Sequence, residues 1–129
     1  MNAAARRYHA VATQTASGER LMILLMHAAL SSMQQAKAHL EDNVAADADL
    51  VEPLITKALN IVQQLQSTLD TTRSPAVIKP LVDVYAFVVW KLVAGRNQRS
   101  ATEIGQAAQV FAPIVDAFDH AVEATHAQR

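Results

Sequence analysis

The feature that most constrains the fold is the spacing of apolar residues, which recur at steps of three and four through four stretches of the chain. That spacing gathers apolar side chains on one face of an α-helix. The 129 residues include only 3 glycines and 4 prolines, whereas a β-sandwich needs many turn residues. Cysteine is absent, which excludes a disulfide framework, a thiolate zinc site and a cysteine nucleophile. The sequence therefore predicts one all-α domain.

The N-terminus is predicted to be separate from the first helix. Residues 1–16 have weak periodicity, and we interpret them as a mobile N-terminal arm. Residues 17–129 are then a single helical-bundle domain. Ser17 is the expected N-cap of a first helix that runs from about Gly18 to Leu40.

Three further helices are predicted from cap and breaker residues. The second begins between residues 47 and 53. Ser74 is the expected N-cap of the third helix and Pro75 its first residue, and Gly95 suits the position just after its end. Ser100 and Glu103 form a capping box that opens the fourth. Because the connections are short, consecutive helices should be antiparallel neighbours in a four-helix bundle.

Charge and hydropathy argue against nucleic acid and membranes as partners. Eleven basic and twelve acidic residues give a net charge of −1, without the basic footprint of a nucleic-acid-binding protein. The longest apolar block, residues 21–30, is interrupted by His27 and is shorter than the ~20 residues of a membrane span. No apolar signal-peptide core follows Arg6 and Arg7. We expect a cytoplasmic protein that binds no nucleic acid and does not insert into membranes.

Sequence patterns for catalysis and metal binding are missing or incomplete. A di-metal site in a helical bundle uses two Glu-x-x-His motifs, and here only Glu123 and His126 have that spacing. Histidine phosphotransfer domains carry a lysine three residues after the phosphorylated histidine, whereas His27 is followed there by Leu30. Walker, H-E-x-x-H and G-x-S-x-G motifs do not occur. We therefore expect no enzyme, no catalytic residue, no metal and no cofactor.

Two predicted helices carry more apolar surface than one bundle seam requires. Residues 21–26 are all apolar. In the third helix Phe87 and Trp90 share a face with charged residues, while a second apolar stripe lies opposite. Packing of both rings against a neighbouring helix is one explanation, and a partner site is the other. The chain is expected to be a monomer or a weak homodimer.

The order of several motifs resembles a known family. Tyr8 is followed by Thr-x-Thr-Ala-Ser at residues 13–17 and by an apolar run that ends in Ala29-Leu30. Leu-x-x-Val-Tyr-x-Phe at residues 81–87 and Val-Phe-x-x-Ile-Val at residues 110–115 follow in the same order as in that family. Together they resemble the flagellar export chaperones (flagellin-specific, FliS-like type III secretion chaperones) over residues 8–124.

The chain departs from the family pattern in several places. It therefore resembles a divergent member of the family. Gly18 stands where the family usually has proline. Met26, His27 and Ala28 stand where it typically has tyrosine, an acidic residue and glycine, and Phe118 replaces a tryptophan.

The resemblance implies a cytosolic chaperone that binds the disordered C-terminal segment of flagellin and prevents its premature polymerisation. It also implies delivery to the flagellar type III export apparatus, with the export gate as a further partner. A same-fold adaptor for a non-flagellin secretion client is the alternative, which the altered segment at residues 26–28 keeps open. In the family the arm can lie over the client groove. The expected client-binding residues are Tyr8, Leu21, Leu25, Leu81, Val84, Tyr85, Phe87, Val88 and Trp90.

Overall fold

The fold consists of four helices joined by short connections. The computed structural model describes the backbone of residues 3–43, 48–70, 72 and 74–127, and the side-chain surroundings of residues 18–43, 49–70, 72 and 74–124. The helices are α1 (Ala3–Asp42), α2 (Ala48–Ser67), α3 (Pro75–Gln98) and α4 (Ala101–Ala127). Within the described residues, no helix has the length and hydropathy needed to cross a membrane.

The helices form a square, in which each one packs against its two neighbours. α1 contacts α2 and α4, and α3 contacts the same two helices. Within the described residues the backbones of α1 and α3 do not come close to each other, so the two helices occupy opposite corners. Since short connections reverse the chain between neighbours, the arrangement is the predicted antiparallel four-helix bundle.

The core is formed by the apolar stripes that the spacing predicts. Tyr85, Val88 and Leu92 of α3 are buried, and Phe111 of α4 lies beside Tyr85 with the ring centroids 6.5 Å apart. Burial raises the pKa of Tyr85, because ionising the phenol away from water is unfavourable. The other buried apolar residues are Met26, Ala29, Met33, Ala36, Leu40, Val51, Ile55, Ala58, Leu59, Ile61, Val62, Leu65, Ile104, Ala107, Ala108 and Val115.

The predicted start of the first helix was wrong. The backbone of α1 is helical from Ala3, so Ser17 lies inside the helix and does not cap it. Alanine, the best helix former, dominates residues 3–12, and a single internal glycine at Gly18 costs only about 1 kcal/mol. The mobility of residues 1–16, and their separation from a domain at 17–129, remain predictions.

At the junction between α3 and α4, the predicted end of α3 was wrong and the predicted cap of α4 was right. Gly95 was expected to follow α3 but lies inside it, and the left-handed residue that ends the helix is Arg99 (φ 50°). The N–H groups of Arg99 and Ser100 both donate to the Gly95 carbonyl. The expected cap of α4 is confirmed, because the Glu103 N–H donates to the Ser100 hydroxyl over 3.2 Å.

The expected cap of α3 was wrong. Ser74 precedes the helix as predicted, but its backbone is left-handed (φ 38°) and its side chain makes no capping hydrogen bond.

Candidate docking groove between helices 1 and 2

An apolar groove runs along the surface between α1 and α2. It consists of two adjoining recesses of about 290 and 530 Å³ that share Leu25, Ile61 and Gln64. We call this surface the α1–α2 groove. Its further lining residues are Gly18, Leu21, Met22, Leu65 and Thr68 in the first recess and Pro53, Thr56, Lys57 and Asn60 in the second.

Local sequence spacing explains the shape of the groove. Leu21 and Leu25 are one helical turn apart on α1, and Ile61 and Leu65 are one turn apart on α2, so each pair lies on one side of its helix. Ile61 and Leu65 are nearly buried and form the floor, whereas Leu21 remains 57% exposed. At Gly18, an added Cβ would meet nothing within 4 Å among the described residues. The groove is therefore open at the end near Gly18.

The length of the groove suits a helix. At 1.5 Å per residue, the stretch of α2 from Pro53 to Thr68 is about 22 Å long, or roughly four turns. A floor of aliphatic side chains with polar residues along the edge is the type of surface that accepts the apolar face of an amphipathic helix.

The edges of the groove are polar but carry little charge. Thr56, Asn60, Gln64 and Thr68 contribute hydroxyl and amide groups. Of the described residues that line the groove, Lys57 is the one that carries a charge, and none is acidic. Such a surface can bury apolar groups and form hydrogen bonds. Within the described residues, no three histidine or acidic side chains come close enough to hold a metal ion.

The structure separates the predicted client-binding residues into different locations. Leu21 and Leu25 line the α1–α2 groove. Tyr85 and Val88 are buried in the core, where no partner can touch them while the bundle is closed. Leu81 and Val84 are partly buried and pack against that core. The surroundings of Tyr8 lie outside the described residues.

Phe87 and Trp90 lie on the outer side of α3, away from the core. Their rings meet edge to face with centroids 5.9 Å apart, and Trp90 is 61% exposed. The Lys91 ammonium lies 4.6 Å from the Trp90 ring centroid and also pairs with Glu103 over 2.9 Å. Among the described residues, no helix covers Trp90. Because α1 and α3 occupy opposite corners, this face is separate from the Leu21 face.

A larger recess of about 670 Å³ lies between α1 and α4 but has a different character. Lys37 and Glu41 pair across one helical turn on its α1 side, with nitrogen and oxygen 3.3 Å apart. The α4 side presents mainly small residues such as Gly105 and Ala112, together with amides. With few large apolar groups, this recess offers little surface to bury, so we favour the α1–α2 groove as the docking site.

The α2 residues of the groove were not predicted as site residues. Ile61 and Leu65 belong to the apolar stripe of α2, whose period indicates only that they face inward. Their partial surface exposure depends on how far α1 lies from α2, which no local sequence signal reports. The uncharged polar residues Gln64 and Thr68 beside them are equally typical of a solvated helix face.

These features define the class of the protein as a small all-α bundle with an open apolar groove between neighbouring helices. The family profile described as flagellar protein FliS matches residues 1–125. Since the match covers nearly all of the sequence, the chain belongs to that family, and the resemblance inferred from its motifs is confirmed. Family membership supports a flagellar chaperone role. A comparison with curated protein sequences gave no match.

Proposed function

We propose that the protein is a cytoplasmic export chaperone that binds the disordered C-terminal segment of flagellin. By covering apolar residues of that segment, it would prevent premature polymerisation and hold the client for delivery to the flagellar type III export apparatus. The export gate would be its second partner. The role requires no catalytic residue, metal or cofactor.

The observation that carries this proposal is the exposed α1–α2 groove in a member of the FliS family. A flagellin segment that packs helically in a filament must have an apolar face, and the groove can shield that face with Leu21, Leu25 and Ile61. A client that folds on binding loses about 2–5 kcal/mol or more of its interaction energy to ordering. Release at the export apparatus is correspondingly easier than the contact area suggests.

The residues that depart from the family pattern at positions 26–28 lie outside the groove. Met26 is buried in the core, and His27 Nε2 lies 2.8 Å from Asp119 Oδ2 of α4. Neither of them nor Ala28 lines the groove. Because these three departures do not line the groove, they give no reason to expect a different client, and we favour flagellin over the adaptor hypothesis.

The test is isothermal titration of the full chain with the C-terminal segment of flagellin from the same organism. We expect saturable 1:1 binding with a negative heat-capacity change, the signature of apolar burial. Absence of binding, with residues 1–16 both present and deleted, would leave the fold intact and favour the adaptor hypothesis.

A matched pair of variants locates the site. Leu21 and Leu24 lie on the same helix with similar exposure, 57% and 60%, but only Leu21 lines the groove. Burying a leucine is worth about 1.5–3 kcal/mol, so Leu21→Glu should weaken binding at least tenfold. Leu24→Glu should leave it nearly unchanged. Equal losses in both variants would contradict docking in this groove.

Trp90 provides an independent check, because it is the single tryptophan and lies on α3. A client confined to the α1–α2 groove should leave its fluorescence emission unchanged. A blue shift on binding would show that the client covers the Phe87 and Trp90 face instead.

A further inference from the structure

We infer that the α1–α2 groove selects an amphipathic helix that carries a carboxylate opposite Lys57. This inference rests on the proposed function, because it specifies the chemistry of the client segment that the groove accepts. It assigns Lys57 as a specificity-determining residue, and the chain's motifs had not pointed to that position.

The first support is the charge of the groove. Lys57 is exposed on α2 and, among the described residues that line the groove, is the one charged side chain. Within the described residues it forms no ion pair, in contrast to Lys37 and Lys91, which pair with Glu41 and Glu103. A docked helix would shield Lys57 from water, and an acidic side chain at that point would compensate the positive charge.

The second support is the position of Lys57 along the groove. Lys57 precedes Ile61 by one helical turn and Leu65 by two turns, toward the α2 end at Pro53. At 1.5 Å per residue those separations are about 6 and 12 Å. The geometry predicts a client stripe of apolar residues at helical spacing, with its Asp or Glu about one turn beyond the residue that contacts Ile61.

The chain's own N-terminus does not fit this description. Residues 1–16 contain Arg6 and Arg7 but no aspartate or glutamate. Residues 3–16 continue α1 as one helix with Leu21 and Leu25, and the segment has no carboxylate to place opposite Lys57. Charge complementarity therefore favours an acidic segment of another protein as the occupant.

The test compares charge reversal at two exposed lysines in the full chain. Lys57→Glu alters the groove, whereas Lys79→Glu makes the same change on α3, where Lys79 lines a separate recess. The probe is the flagellin C-terminal segment from the same organism, together with versions in which each Asp or Glu is changed singly to Lys. Affinity is measured by titration at low salt and again at about 0.5 M salt, where exposed charge pairs are screened.

We expect Lys57→Glu to weaken binding by roughly two- to tenfold at low salt, as for an exposed ion pair lost and replaced by repulsion. The loss should shrink at high salt, and Lys79→Glu should bind like the wild type. One acidic-to-lysine client should bind Lys57→Glu better than it binds the wild type, which identifies the carboxylate that faces position 57.

Failure of the inference and failure of the proposed function give different results. If the wild type binds the segment and Lys57→Glu binds equally well, the inference is overturned while the chaperone role stands. Equal losses of affinity in Lys57→Glu and Lys79→Glu also overturn the inference, because the net charge of the protein would then explain the loss without a contact at Lys57. If the wild type does not bind the segment, both the inference and the proposed function are contradicted. A homodimer seen by sedimentation and abolished by Leu21→Glu would place a second copy in the groove and overturn the inference.

Discussion

Replacing Gly95 with alanine should destabilise the bundle, although alanine is the better helix former. The added Cβ would lie 2.7 Å from Ile104 Cγ1 and 3.2 Å from the Ile104 backbone nitrogen. Overpacking of this kind typically costs about 1–3 kcal/mol. Because the Ile104 side chain is fully buried and cannot swing aside, we take the upper half of that range. Subtracting the gain of about 1 kcal/mol for Gly→Ala in a helix leaves a net loss of about 1–2 kcal/mol.

The other two glycines are internal controls, since no glycine in the described residues has a positive φ. At Gly18 the new Cβ meets nothing within 4 Å among the described residues, so Gly18→Ala should gain up to about 1 kcal/mol. At Gly105 the nearest atom is Lys37 Cε at 3.0 Å, in a flexible side chain that can move away. Gly105→Ala should therefore be nearly neutral or slightly stabilising.

The assay is urea unfolding followed by circular dichroism, with the free energy of unfolding obtained by linear extrapolation. If the Gly95→Ala variant is at least as stable as the wild type, the reasoning is refuted. A second check uses Ile104→Ala, which removes the obstructing side-chain atoms and itself costs about 2–5 kcal/mol. In that background the cost of Gly95→Ala should shrink to near zero or become a gain. If the full cost persists, the Ile104 side chain is not its cause.

Three further predictions concern the core, an ion pair and a histidine. Phe111→Ala should lower the free energy of unfolding by about 3–5 kcal/mol in urea unfolding, because the ring is fully buried beside Tyr85. Glu103→Ala should cost about 1–2 kcal/mol by the same assay, since it removes the charged partner of the Lys91 ammonium, whose side chain is only 14% exposed. The pKa of His120 should be above its usual value in an NMR titration, first because the ring N–H donates to the Asp116 carbonyl and then because the Asp116 carboxylate is close. Asp116→Asn should lower that pKa only in part, and a fall to the usual value would contradict the main cause. Because the folded-state pKa is raised, the small stabilising contribution of His120 is present at pH below the usual histidine pKa and is lost as pH rises through the raised value.

Much of the architecture could be predicted because it depends on local spacing. Met33, Ala36 and Leu40 of α1 recur at steps of three and four, and all three are buried. The Ser100 cap was also predictable, because an N-cap hydrogen bond joins residues only three apart.

Two predictions made from local sequence were wrong, one at the end of α3 and one at the start of α1. From the sequence, Gly95 was predicted to follow the end of α3. In the structure it lies inside α3, where Ile104 of α4 comes so close that a Cβ would clash with it. The alanine-rich start of the chain was interpreted as an arm because it lacks an apolar stripe, whereas its helix propensity keeps α1 helical from Ala3.

The candidate site was only half predictable. The sequence indicated that α3 has two competing faces, and the packing of α3 against α2 and α4 decided that Tyr85 and Val88 face inward and Trp90 outward. Leu21 and Leu25 were identified as surplus apolar residues, but their partners Ile61 and Leu65 belong to a different helix.

The sequence by itself determined the helical class, the core stripes, the absence of cysteine chemistry and, through the order of its motifs, the family. These properties depend on residue type and on neighbours within about two helical turns. Only the tertiary structure decided which apolar residues remain uncovered and that Lys57 lies beside them. A helix's own period defines an apolar stripe, but the depth to which the stripe is buried depends on the distance and angle of a helix that is remote in sequence.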